Sequence, residues 1–223
     1  MNVYAKLINK KELNMSKLDL YEQEQISNVQ YFFKDYGKYI ITMLLIIIIS
    51  YIASVLWLNK QKKQSLQSAE LYSNLIIKLE QNQINDAYNI ANKLNQDYKN
   101  EEYTSFANLL IAKEAFSKKD YVSAVKYINE LINNSKDKSM VAIAKLRLAD
   151  IYIDQNKLDN ALKLLADKHD SDFDVLFYQK QGDIYLLKKD IVKAKDLYNA
   201  ALQSAGGNQD LMALIKMKMD FAS

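Results

Sequence analysis

Between Tyr39 and Leu58 the chain reads YIITMLLIIIISYIASVLWL, twenty residues without a charge. A helix of that length rises about 30 Å, the thickness of a bilayer's hydrocarbon. No later stretch is comparably apolar, so the sequence predicts one crossing, which separates a short tail from the 165 residues of Asn59 to Ser223. A cleaved signal peptide would have a shorter apolar core and a small-residue cleavage site. This run instead starts at residue 39 and ends in Trp57 and Leu58, followed by Lys60, Lys62 and Lys63, which predicts a signal-anchor. Tyr36 and Tyr39 at one end and Trp57 at the other stand where the two aromatic belts of a spanning helix stand.

The flanking charges give no single orientation. Lys34 and Lys38 precede the span, and Lys60, Lys62 and Lys63 follow it, so a narrow positive-inside count leans towards a cytoplasmic C-terminal domain. Counting Lys6, Lys10, Lys11 and Lys17 as well reverses the lean, and Met15 is a second candidate start that would remove three of those lysines.

Up to Leu58 there are six lysines and five acids, which leaves 24 basic and 22 acidic residues beyond it. So balanced a surface lacks the concentrated basic footprint that nucleic acid requires. Only one basic residue, Arg147, is arginine. With no cysteine there are no disulfides or thiolate metal sites. With no proline and four glycines, at 37, 182, 206 and 207, the usual helix breakers are nearly gone, and the expected fold class is all-α.

Beyond the span the chain repeats itself. Ala87, Ala124, Ala161 and Ala194 are 37, 37 and 33 residues apart, and twelve places before each stand Leu75, Ala112, Ala149 and Gly182. Four helical hairpins are implied, with small residues at the closest helix crossings and large ones filling the gaps. Gly182, Tyr185, Ile191, Ala194, Tyr198 and Ala201 carry the fullest pattern, and Ala149, Tyr152, Leu158, Ala161 and Leu165 repeat it. These residues resemble the tetratricopeptide repeat, whose period is about 34 residues. The first hairpin departs from it, with Leu75 and Lys78 in place of the small residue and the aromatic. Gly206 and Gly207 close the fourth hairpin, and Asn208 with Asp210 is expected to cap a last helix, Leu211 to Phe221. Its Leu211, Leu214, Ile215 and Lys218 would cover the open end of the stack.

Catalytic, cofactor and metal chemistry find little purchase. His169 is the only histidine, and four glycines build no phosphate loop. Asp167, His169, Asp170, Asp172 and Asp174 mimic the start of a calcium loop, but Val175 stands where that loop needs glycine and Gln181 where it needs glutamate. The run reads as a polar turn with helix-capping aspartates. Asp150 and Asp154, four apart, have acid and base spacing, and on a repeat's first helix they are expected to line a solvated groove. The expectation is no enzyme, no cofactor and no small-molecule substrate.

Stacked repeats bind peptides or partner domains along a concave face. First-helix positions that line it give Leu109, Lys113 and Phe116, then Leu146, Asp150 and Ile153, then Gln179, Asp183 and Leu186. The Lys and Asn clamp of cytosolic chaperone receptors of this fold is missing, so an apolar groove edged by acids is expected. Within the span, Ser50, Ala53 and Ser54 form the one small-residue face, a candidate contact strip for partner helices in the lipid.

Before the span, Glu22 to Gln25 lead into Ile26, Val29, Phe32 and Phe33, then Lys34, Tyr36, Gly37 and Lys38. At the far end stand Lys216, Met217, Lys218, Met219 and Asp220. This order, with one span and then tetratricopeptide-like repeats, resembles the YfgM-like family of ancillary SecYEG translocon subunits from Leu18 onward. The resemblance implies a bacterial inner-membrane protein with a cytoplasmic tail (1–38), a transmembrane helix (39–58), a stalk (59–68) and a periplasmic repeat domain with its capping helix (69–223). It implies SecYEG and a PpiD-like periplasmic chaperone as partners, and no enzymatic activity. Unlike the Gly- and Ala-richer spans of the family, this one is rich in isoleucine. Two alternatives stand beside it: a scaffold of envelope assembly or division with the same topology and, with the orientation reversed, a cytoplasmic-facing protein-import receptor.

Overall fold

The computed structural model describes the backbone of residues 3–221 and the side chains of residues 25, 32 and 34–221. The described residues form α-helices, one short 3-10 turn and connecting loops. The first helix, α1, is Val3–Glu80. The chain divides into two compact units, Met1–Gln61 and Lys62–Ser223.

In the first unit, the expected span lies within the one stretch of the described residues long and apolar enough to cross a membrane, Lys34–Glu80, and none of its most apolar window is buried. Ile46, Ile49, Tyr51 and Trp57 are all exposed. A helix that presents apolar side chains all round needs lipid or protein about it.

In the second unit the end of α1 pairs with α2 (Ile84–Asp97) to make the first hairpin. The others are α3 (Glu102–Ser117) with α4 (Tyr121–Asn134), α5 (Lys138–Asp154) with α6 (Leu158–Ala166), and α7 (Asp174–Leu187) with α8 (Ile191–Ser204). Helix α9 (Gln209–Phe221) packs on α8. First helices of successive hairpins also touch, α3 on α5 and α5 on α7. The all-α repeat architecture is as expected. The periods of 37 carry longer helices than the period of 33: α2 and α4 have 14 residues against 9 in α6, and α3 and α5 have 16 and 17 against 14 in α7, a difference partly offset by the longer link from α6 to α7.

Each hairpin turns in the same way. Asn82, Lys119, Asn156 and Lys189 have φ of 57°, 61°, 57° and 61°, and they recur at the same intervals as the alanines. In each turn the next residue's N–H, from Gln83, Asp120, Lys157 or Asp190, donates to a carbonyl five residues back. This closes the first helix as glycine usually does. Asp120 and Asp190 then cap the second helices by accepting from the Ser123 and Lys193 amides. Both carboxyls are held below the usual carboxylate range, first by the Ser123 and Lys193 side chains and then by these amides.

The alanines that set the register, Ala87, Ala124, Ala161 and Ala194, are fully buried. Around them volume is exchanged across each crossing. Gly182 faces Tyr198, and the equivalent pairs are Ala149 with Leu165, Ala112 with Ile128, and Leu75 with Ala91, each pair buried. The first hairpin therefore keeps the packing with the large and small partners reversed, which is why its pattern departs at Leu75. Asn95 and Asn108 exchange two amide hydrogen bonds of 2.8 Å between α2 and α3, which satisfies the buried Asn108.

Helix α9 covers the last hairpin with the expected face except at Leu214. Leu211 and Ile215 pack as expected, with Met212 and Met219 beside them, whereas Leu214 is 42% exposed. Asn208 caps the helix by accepting from the Leu211 amide, while Asp210 lies in its first turn. Lys218 reaches Asp183 on α7, which fixes the helix about its own axis.

Candidate partner-binding groove

The first helices of the second and third hairpins flank a hollow of about 520 Å³. Phe106, Leu109, Leu110 and Phe116 of α3 line it, together with Ile143 and Ile151 of α5 and Tyr72 from the end of α1. Lys113, Arg147 and Asp150 supply its charge. A smaller hollow of about 250 Å³ continues between α5 and α7, lined by Leu146, Arg147, Asp150, Gln179 and Lys180. Volumes and linings of this kind suit a few apolar side chains oriented by a few polar groups.

Of the residues expected on this face, the structure brings together Leu109, Lys113, Phe116, Leu146, Asp150 and Gln179. Ile153 and Leu186 turn away and pack, half-buried, against the cores of the third and fourth hairpins. Asp183 is withdrawn by a network under α9: its Oδ1 accepts from the Tyr198 hydroxyl at 2.7 Å, and both its oxygens accept from Lys218 at 2.8 and 2.7 Å. Burial first and the Asp183 bond second raise the Tyr198 phenol well above its ordinary value. Arg147, Lys180, Tyr72, Phe106 and Ile143 join the face beyond the positions that the repeat register marks. Arg147 carried a signal, since it is the only arginine and precedes Asp150 by one turn.

The edge of the groove is basic, and the expected acidic edge is corrected by the pairing of its aspartates. Asp150 accepts from Lys180 at 2.5 Å and lies 3.6 Å from Arg147. Asp154 accepts from Lys119 at 2.7 Å and from the Tyr121 hydroxyl, bridging the second and third hairpins. Those two bonds, Lys119 first, lower the Asp154 carboxyl, and the Lys119 ammonium is raised by the same contact. Asp150 and Asp154 are thus tied into inter-repeat ion pairs.

The aspartate-rich segment links α6 to α7 and is a turn, as expected. Asp170 caps the 3-10 turn Ser171–Phe173 by accepting from the Asp172 amide. His169 stacks on Phe177 at 3.7 Å. Its two ring nitrogens lie 3.0 Å from the Asp167 carbonyl and 2.9 Å from Asp174 Oδ1. The histidine fastens the turn to the core. In the first unit, Ser50, Ala53 and Ser54 are exposed, and the Ser54 hydroxyl donates to the Ser50 carbonyl at 2.8 Å.

Residues 30–222 match the family described as Tetratricopeptide repeat-like domain. A protein of Neisseria gonorrhoeae named Ancillary SecYEG translocon subunit is 27% identical over 205 residues, 90% of this chain and 97% of that one. Proteins of the same name from Haemophilus influenzae and Escherichia coli are 29% and 25% identical, covering 88% and 84% of this chain and 96% and 91% of theirs. The YfgM-like resemblance is thereby borne out over both the span and the repeats. The chain belongs to the tetratricopeptide repeat-like domain family.

Proposed function

We propose that the protein is an ancillary subunit of the SecYEG translocon, a membrane-tethered scaffold that holds a PpiD-like periplasmic chaperone beside chains leaving the channel. The observation that carries this reading is the relatives of that name, matched over 84–90% of this chain. One candidate span and a repeat unit with a peptide-sized groove are the parts such a tether requires. The tail of residues 1–38 then lies in the cytoplasm, the helix of 39–58 crosses the inner membrane, and residues 69–223 work in the periplasm. Ser50, Ala53 and Ser54 offer a strip against which partner helices pack. Tethering raises effective concentration without a strong individual contact. The protein acts by binding and performs no reaction of its own.

Affinity purification of the tagged full chain from mild detergent tests the reading. SecY and a PpiD-like chaperone are expected to be enriched over an unrelated single-span control, and the absence of SecY overturns it. Protease added to intact spheroplasts is expected to digest the repeat unit, and protection of that unit reverses the orientation.

A further inference from the structure

The repeat register turns the ion pairs of the groove into a ladder with one faulty rung. Lys113, Asp150 and Asp183 are equivalent positions on α3, α5 and α7, and Arg147 and Lys180 are equivalent positions three residues before the last two. Between the third and fourth hairpins the rung is Asp150 with Lys180, at 2.5 Å. At the end of the stack Lys218 of α9 completes the pairing for Asp183. Between the second and third hairpins the same register sets Lys113 against Arg147, two cations on one hollow. Lys113 has no ion-pair partner among the described residues. Arg147, 68% exposed at its side chain, has among the described residues only Asp150 at 3.6 Å as an ion-pair partner, a carboxylate that Lys180 already holds.

We propose that the missing carboxylate is supplied by the ligand: the groove binds an apolar peptide segment through an internal Asp or Glu side chain seated between Lys113 and Arg147. Charge complementarity names the occupant. Three cations, Lys113, Arg147 and Lys180, face one carboxylate, Asp150, above a floor of Phe106, Leu109, Leu110, Phe116, Ile143 and Ile151. A free inorganic anion would leave that floor wet, whereas apolar residues flanking an acid would cover it. The inference rests on the scaffold reading and adds the chemical class of the segment that the scaffold holds.

The full chain in detergent is used to select from a phage-displayed library of random peptides. The selected sequences are expected to be enriched in Asp or Glu flanked by apolar residues. The leading peptide, synthesised with blocked termini, should lose about tenfold in affinity when its acid is replaced by the amide, or when the protein carries Lys113→Gln with Arg147→Gln, as one charge-assisted contact is worth. Lys113→Glu should repair the rung, so its melting temperature rises while peptide binding falls. Selection without acidic enrichment, unchanged binding by the double variant with intact helical content, or a requirement for a free C-terminal carboxylate overturns the proposal. Recovery of SecY with the Lys113→Glu chain separates the two readings, because a loss of peptide binding with SecY retained leaves the translocon association standing.

Discussion

The Tyr198 ring lies so close to Gly182 that a methyl group there would stand 2.8 Å from the ring's Cε1 and 2.9 Å from Cδ1. The ring cannot withdraw, because it is fully buried and its hydroxyl is held by Asp183. Gly182→Ala is therefore expected to destabilise the repeat unit by about 1–3 kcal/mol, the usual result of overpacking a filled core. Thermal unfolding of the full chain in detergent, followed by circular dichroism, reads it. An unchanged melting temperature would show that the crossing has slack.

The first hairpin makes the complementary case. Leu75 and Ala91 hold the places of Gly182 and Tyr198 with the volumes reversed, and both are fully buried. Leu75→Ala should cost about 2–5 kcal/mol by leaving a cavity. Adding Ala91→Leu should recover a large part of that loss. Recovery in the double variant, measured against the two single ones, is the signature of volume exchange rather than of Leu75 acting alone.

The register was legible because it depends on chain-local facts: buried alanines recur where helices cross, and their spacing survives in the sequence. The volume exchange was not, because Leu75 looks like a failed match until Ala91 is seen across from it. The turns were hidden for a related reason. Their left-handed residues are asparagine and lysine, so no glycine marked them. Within the groove, apolar positions such as Leu109 and Phe116 followed from helical periodicity. The fate of each charge depended on a partner on another helix: Lys180 for Asp150, and Lys218 for Asp183. No spacing within one helix reports which aspartate a later lysine will cover.

Lys189 is the clearest of the hidden turns to test. It adopts φ of 61° with an exposed side chain, a conformation that a β-carbon disfavours and glycine accepts freely. Lys189→Gly is expected to raise stability by about 1 kcal/mol. The same change at Lys119 should gain less, because it also removes the pair with Asp154. A drop in melting temperature for Lys189→Gly would mean that its backbone geometry is not the limiting feature of the turn.

At high pH the repeat unit should be weakened through Tyr127. Burial, with the Tyr88 ring beside it as the second cause, pushes its phenol up from 10.0 to about 12. The rings stack at 5.7 Å, and the Tyr127 hydroxyl donates to Asn92 Oδ1 at 3.0 Å. An acid whose pKa is raised by folding is held protonated by the fold. Its contribution is complete below the unfolded value of 10.0 and is lost as pH rises through about 12. The Tyr198 phenol is raised as well, so it adds to the same slope. Melting temperature should therefore fall steeply between pH 10 and 12. Tyr127→Phe, although it forfeits the Asn92 hydrogen bond and starts lower, should show a shallower fall over that window. Parallel curves for the two proteins would assign the alkaline weakness elsewhere.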